Sequence, residues 1–211
     1  MANRSPLSAA DFQDLVGIDN RTLDRLRAYL NLLIRWQQRI NLVGTGTLDD
    51  PWRRHMLDSA QLVPLLPKGT DLRVVDLGSG AGFPGLVLAI LSPARVELVE
   101  SDARKCAFLA EAARITGVRS VIHNRRIETL PPLGADVTTA RALAPLPALL
   151  AMAARVLAPQ GIGLFLKGRS VEAELTESAR TWKMRVTRQP SRSDDSGVIL
   201  KLEDIARRHA Q

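Results

Sequence analysis

Cysteine is nearly absent: Cys106 is the one thiol in 211 residues. This excludes a disulfide framework and any zinc site built from several thiolates. Aromatic side chains make up 4% of the chain, too few for a broad platform on which single-stranded bases stack. Long apolar runs are also missing. The longest uncharged apolar stretch, residues 142–154, contains Pro145 and Pro147 and falls short of the roughly 20 residues that cross a bilayer. The opening Met1-Ala2-Asn3-Arg4-Ser5-Pro6 leads into polar sequence without an apolar segment. No secretory signal is read there, and the cytoplasm is the expected location. There is no internal repeat and no low-complexity linker.

What is present is an ordinary globular composition, 45% apolar and 24% charged, over a length suited to one large domain or one domain with an extension. Basic residues number 29 against 22 acidic ones, for a net charge of +7, and 24 of the 29 are arginine. Such a balance points to an anionic partner, most often nucleic acid; the competing reading is skewed arginine usage alone. The excess is uneven. Residues 1–70 carry 9 basic and 7 acidic side chains, residues 71–120 carry 6 and 6, and residues 121–211 carry 14 and 9.

The first 66 residues read as helices. Ser8 caps a short one, with Asp11 at the third position. Asn20 caps a longer one whose Leu23, Leu26, Leu30, Leu33 and Ile34 follow the 3.6-residue period. Asp50-Pro51 opens a third that runs to about Leu66. From residue 71 the pattern changes to short β-branched runs alternating with helical stretches. Strands are expected over 73–76, 95–100, 118–123, 136–140 and 163–167, with helices after the first two and over 146–157. Two closing strands, 182–188 and 198–202, flank a polar loop. The fold class is therefore α/β: a doubly wound, mostly parallel sheet with an antiparallel C-terminal hairpin over 71–211, and an N-terminal helical extension over 1–70. Ligand is expected beyond the C-terminal ends of the strands.

The most informative segment is Asp76-Leu77-Gly78-Ser79-Gly80-Ala81-Gly82-Phe83-Pro84-Gly85. Glycine permits positive φ and close approach of backbone to a ligand, and a plain turn needs one glycine rather than four. Residues 80–85 formally match the dinucleotide fingerprint. The register is late, Pro84 has no N–H for a phosphate, and Asp76 stands where a diphosphate would lie. The same Asp76 suits S-adenosylmethionine, which carries an ammonium and a sulfonium and no phosphate. Glu100, about 20 residues on, suits ribose hydroxyls in either cofactor. Asp76 and the glycine register favour the methyl donor, with Gly78, Gly80 and Gly82 lying against it.

Taken together, several motifs resemble one family. They are Trp36 with Asn41-Leu42; Arg54-His55-Met56-Leu57-Asp58-Ser59; residues 76–85 with their Phe83-Pro84-Gly85 ending; Glu100-Ser101 followed by Arg104-Lys105 and Phe108-Leu109; Arg141-Ala142; and Leu166-Lys167-Gly168. In this order the set resembles the RsmG (GidB) family of small-subunit ribosomal RNA methyltransferases, within the class I S-adenosylmethionine-dependent enzymes with a Rossmann-like fold. Val43, Ala140 and Glu100 depart from the family's usual threonine, serine and aspartate. The resemblance implies methylation of N7 of one guanine in 16S ribosomal RNA, with S-adenosylhomocysteine as product. It also implies that Gly78 and Phe83 line the cofactor, Glu100 with Ser101 holds ribose, Ile127 and Glu128 flank adenine, and Arg141 sits by the transfer site.

Guanine N7 is a lone-pair acceptor with no proton to remove, so no general base is required, and no nucleophile–base pair is read. Cys106 is expected to be a buried helix residue. No metal is expected. Arg141 and Lys167 are the candidate catalytic side chains, able to donate to guanine O6 or a phosphate. Arg53, Arg54, Arg125, Arg126 and Lys167 are the candidate RNA contacts. His55 and Asp58 are expected to fasten the N-terminal helices onto the cofactor domain. The expected partner is small-subunit ribosomal RNA or the subunit itself, recognised by charge and shape; no membrane is involved, and the protein is expected to be monomeric. Two alternatives stay open on the sequence: a methyltransferase acting on a small molecule or protein, and a non-catalytic RNA-binding module.

Overall fold

The computed structural model describes residues 5–69 and 71–208. Met1 to Arg4, at the start of the segment read as carrying no secretory signal, and Thr70, at the expected boundary, lie outside these. Seven strands form one sheet in the order β3-β2-β1-β4-β5-β7-β6. They are β1 (Arg73–Leu77), β2 (Arg95–Glu100), β3 (Val121–Asn124), β4 (Ala135–Arg141), β5 (Leu157–Lys167), β6 (Trp182–Pro190) and β7 (Val198–Arg207). The first five run parallel, and β7 lies antiparallel between β5 and β6. In β1 the four residues after Arg73 are all buried, as in a parallel strand covered on both faces. The strand order reverses between β1 and β4, so a crevice opens there at the C-terminal ends.

Helices cover both faces. On one lie α1 (Ala9–Val16), α2 (Asn20–Gln37), α4 (Gly85–Leu91) and α5 (Ala103–Thr116); on the other lie α6 (Leu146–Val156) and α7 (Val171–Ser178). A further helix begins as a π-helical stretch, Trp52–Leu57, and ends in the short regular α3 (Asp58–Ala60). Leu23, Leu26, Leu30 and Leu33 of α2 pack with Phe108, Leu109 and Ala112 of α5 and with Leu86 of α4 in one cluster. Each such leucine contributes about 1.5–3 kcal/mol by leaving water. The N-terminal helices are thus part of the wall around the sheet.

The caps follow the sequence closely. Ser8 accepts the Asp11 N–H at 3.1 Å. The long helix is capped by Asp19, which accepts the Thr22 N–H at 2.7 Å, one residue before the expected Asn20. Four further differences have physical causes. Gly117, at φ +67°, ends α5 in a left-handed turn, so β3 begins at Val121 and not 118. The hairpin strands run past their expected ends because cross-strand bonding carries them on. The strand β5 begins at Leu157, where Leu157 pairs with Ala135 ahead of a register shift. The helix α7 was not expected, its buried face being only Val171, Leu175 and Ser178.

Candidate active site

The crevice is a cleft of about 860 Å³. The glycine loop after β1, Glu100 at the end of β2, Arg141 at the end of β4 and Lys167 at the end of β5 border it. The loop is fastened by its backbone. Ser79 N–H donates to the Val99 carbonyl at 2.9 Å, and Gly80 N–H donates to Glu100 Oε2 at 2.9 Å. The other Glu100 oxygen accepts the Asp102 N–H at 2.8 Å. Two of these glycines are required outright. Gly78 has φ +63°, and a Cβ there would run into the Leu143 side chain. Gly82 has φ +89°, and a Cβ would meet Tyr29 and Leu86 at 2.7 and 2.6 Å. The Tyr29 hydroxyl donates to the Ala81 carbonyl, tying α2 to the loop.

Asp76 stands apart from the expected arrangement. It is 1% exposed and does not line the cleft; it lies beneath the loop, where its Oδ1 accepts the Thr139 hydroxyl at 2.7 Å. Strand pairing sets Thr139 beside it, and Gly85 packs on its carboxylate. Burial pushes its pKa up to about 6, against the pull of Thr139, Ser79, Gly85 and Arg141. The carboxylate therefore supports the loop from behind and does not present a charge to the cleft. Gly82 likewise faces the interior.

Phe83 is the floor on which several elements meet. The His55 ring stacks on it at 4.8 Å and 15°, and the Arg141 guanidinium lies over it at 5.0 Å. Arg141 Nη1 donates to the Arg54 carbonyl at 3.0 Å and to Asp58 Oδ2 at 3.3 Å. Ala142, directly after it, has φ +51°, a left-handed conformation that costs a non-glycine residue about 1–2 kcal/mol. Backbone strain of this kind gathers at functional sites. Asp58 Oδ1 accepts the Ser193 hydroxyl at 2.5 Å, so this one carboxylate joins the N-terminal helices, β4 and the β6–β7 loop. His55 is held neutral: burial, then the charges of Arg141 and Arg54, lower its pKa to about 3. The Thr47 hydroxyl donates to the Gly44 carbonyl at 2.6 Å, so its oxygen accepts from His55 Nε2–H at 2.8 Å.

The remaining expected residues divide. Ser101, Ile127 and Glu128 line the cleft, and Arg125 and Arg126 stand exposed along its rim. Arg54 also lines it, with its guanidinium 2.6 Å from Asp194; this contact, with the Ser196 bonds, holds Asp194 down at about 2. Arg53 does not line the cleft. It is paired with Asp50 at 2.8 Å and donates to the Ser5 carbonyl at 2.9 Å. Lys167 borders the cleft but is 2.5 Å from Glu174 and donates to the Ala144 carbonyl at 3.0 Å. Burial acts to raise Glu174, yet bonds from Lys167, Ser170 and Leu146 outweigh it and hold the carboxyl below its usual range. Lys167 therefore clamps β5 to α7 and to the start of α6, a structural use that its motif did not reveal. Cys106 is buried in α5, as expected, and burial raises its thiol.

Sequence reasoning missed the wall formed by Ser191, Ser193 and Asp194. Only a turn signal was readable there: Asp194 Oδ1 accepts the Ser196 N–H at 2.8 Å, the local bonding typical of Asx turns. Among the described residues no group of three or more His, Cys, Asp or Glu side chains is arranged to hold a metal, and no helix is long and apolar enough to cross a membrane.

Comparison with known proteins agrees with this architecture. A SAM-dependent methyltransferase from Aquifex aeolicus superimposes with a TM-score of 0.56 at 16% identity, covering 74% of this chain and 95% of that one. TYW2 of P. horikoshii, solved in complex with MeSAdo, gives 0.56 at 17% identity over 70% and 61%. These likenesses establish the fold. In sequence, the ribosomal RNA small subunit methyltransferase G of Rhodospirillum rubrum is 58% identical over 91% of this chain and 95% of its own length. The protein of that name from Paramagnetospirillum magneticum is 56% identical over 92% and 95%. The pattern of the GidB family, rRNA small subunit methyltransferase G, matches residues 22–194. With 173 of the 211 positions matched and relatives this similar end to end, the chain belongs to the rRNA small subunit methyltransferase G (GidB) family.

Proposed function

We propose that the protein transfers a methyl group from S-adenosylmethionine to N7 of a guanine in small-subunit ribosomal RNA. The observation that carries the reading is the convergence, in one cleft, of the backbone-fastened glycine loop, the doubly bonded Glu100 and the Arg141–Phe83 pair. The cleft suits the methyl donor in its chemistry. Glu100 is oriented by two backbone N–H groups and keeps further lone pairs for ribose hydroxyls. Val99, Ile127 and Leu143 offer apolar surface for an adenine ring. When bound, S-adenosylmethionine supplies a methyl group activated by its sulfonium.

The chain's own task is then positioning. Guanine N7 presents a lone pair and no proton, so the residues need only bring acceptor and methyl into line, and orientation of this kind is worth several kcal/mol. The neutral His55 braces Phe83 without adding a cation beside the sulfonium. Arg141, with one nitrogen committed to Asp58 and the Arg54 carbonyl, keeps other donors for guanine O6 or a phosphate. Ile127 and Glu128 flank the adenine, and Arg54, Arg125 and Arg126 meet the RNA backbone. The decisive experiment labels undermethylated small subunits with radioactive methyl donor and maps the modified base. Label at guanine N7 of the small-subunit RNA is expected. Label on another atom overturns the positional assignment, and unlabelled RNA overturns the activity.

A further inference from the structure

A second groove, of about 630 Å³, lies between the end of α2 and the first turns of α5. The two helices run antiparallel. Arg25, near the start of α2, donates to the Thr116 carbonyl at the end of α5 at 2.6 Å, while Trp36, near the end of α2, meets Phe108 edge-on at 5.7 Å. After α2 the chain curls back: the N–H groups of Arg39 and Ile40 both donate to the Trp36 carbonyl, at 2.8 and 3.0 Å. Trp36, Ile40 and Ala107 thereby form an apolar lining edged by Arg35, Arg39 and Arg104.

The charge of this edge is only partly compensated, through the electrostatic pull between Arg35 and Glu111. Among the described residues neither Arg35 nor Arg39 forms an ion pair. Arg104 touches Asp102 at 3.4 Å with its side chain 74% exposed, a contact that solvent and salt leave worth little. The acids on and beside α5 commit their shortest hydrogen bonds to other donors. Asp102 caps the helix by accepting the Arg104 and Lys105 N–H groups, and Glu111 takes Arg114 with both oxygens. Guanidinium groups around an aromatic ring match a phosphate backbone that carries a ribose or base, since arginine binds phosphate in a two-pronged fashion and the ring offers a face to stack on.

The groove also adjoins the cleft along two segments. Arg104 edges the groove and its neighbour Lys105 lines the cleft; Ile40 lies in the groove, and Leu42 and Val43 lie in the cleft. We propose that this groove is a second RNA contact, in which the strand flanking the target nucleotide crosses the 104–105 ridge, sets its phosphates on Arg35, Arg39 and Arg104, and rests a ribose or base against Trp36. The inference rests on the reading of the protein as an RNA methyltransferase.

The test uses the full chain with Arg35→Gln, Arg39→Gln and Arg104→Gln combined. Binding of a small-subunit ribosomal RNA transcript is followed by fluorescence anisotropy over a series of salt concentrations. Affinity should fall by on the order of ten-fold or more, and the slope of log affinity against log salt should shrink by about 2, at roughly 0.7 per lost phosphate contact. Affinity for S-adenosylmethionine by calorimetry and the thermal midpoint should stay at the wild-type values, while KM for RNA rises and kcat is kept. Arg39→Gln alone, at an exposed position, should flatten the slope by about 0.7. Unchanged RNA affinity and slope in both variants, with the wild type binding and methylating the transcript, overturn the groove assignment and leave the activity standing. The same holds if RNA binding is kept while binding of a poly-glutamate peptide is lost, which makes the groove a protein-docking site. A wild type that neither binds nor methylates the RNA overturns the parent reading, and the groove with it.

Discussion

On one wall of the cleft the glycine loop is fastened by backbone N–H groups to the Val99 carbonyl and to Glu100, which is 9% exposed. On another, Arg54, Asp58, Arg141 and the 191–197 loop are joined through side chains, and the Arg54–Asp194 pair is 41% and 36% exposed. Bonds of the first kind are short-range and at least part-buried, and salt screens them little. Exposed ion pairs contribute little and are screened. On the proposed function, the wall assigned to the small cofactor is the rigidly built one, and the wall assigned to the RNA includes an exposed pair that can exchange partners.

The largest expected effect lies on the rigid wall. Gly78→Asp forces a side chain into Leu143 and into a left-handed backbone; it should abolish S-adenosylmethionine binding measured by calorimetry. Affinity near the wild-type value would erase the distinction between the walls. On the other side, Arg141→Ala should lower kcat by on the order of 100-fold, the scale of losing one transition-state donor, while cofactor affinity changes little. An equal loss in both would move Arg141 to the cofactor wall.

Asp76 sharpens the comparison, because the rigid wall rests on a carboxylate whose burial is unfavourable. Its pKa is raised from 3.8 to about 6, so the native state holds the proton more tightly than the unfolded chain. Its contribution to stability is present below pH 3.8 and lost as pH rises through 6. The loss is on the order of 3 kcal/mol. Chemical denaturation at pH 4, 5, 6 and 7 should show this fall for the wild type and a flatter profile for Asp76→Asn. Parallel profiles would mean that the loop does not carry this strain.

The smallest effect belongs to the exposed pair. Asp194→Asn should lower stability by about 0–1 kcal/mol at low salt, with the difference vanishing at high salt and RNA affinity rising slightly as Arg54 is freed. A loss that persists in high salt would make this wall as rigid as its counterpart.

Much of the fold was legible in the sequence. The leucines of α2 recur at the helical period, and the β-branched runs bounded by glycine read as strands. The parts that were missed lack such a signal. The π-helical stretch sits where the sequence placed a helix, and Trp52, His55 and Met56 keep the i, i+3, i+4 spacing of a regular one, with Leu57 buried beside them; the wider turn leaves no mark in that pattern. The helix α7 shows only a narrow buried stripe, and it is held by Glu174, whose partners Leu146 and Lys167 lie outside the helix. In the site, Gly78 and Glu100 could be read because the loop bonds to a strand end only about 20 residues further on. The cleft wall at 191–197 could not, because it reaches Arg54 across 140 positions.

The amino-acid order alone determined that the loop after β1 turns left-handed at its glycines, that a helix follows each of the first two strands, and that an acid closes the second strand, since these depend on local sterics and near neighbours. Only the tertiary structure decided which charges face the cleft. Lys167 was drawn to Glu174 and Asp76 under its own loop, whereas Arg53 met an acid three residues away, Asp50. Whether a charged side chain meets solvent, ligand or a buried partner depends on what the fold brings within a few ångströms, and Thr139, 63 residues along the chain, is what Asp76 met.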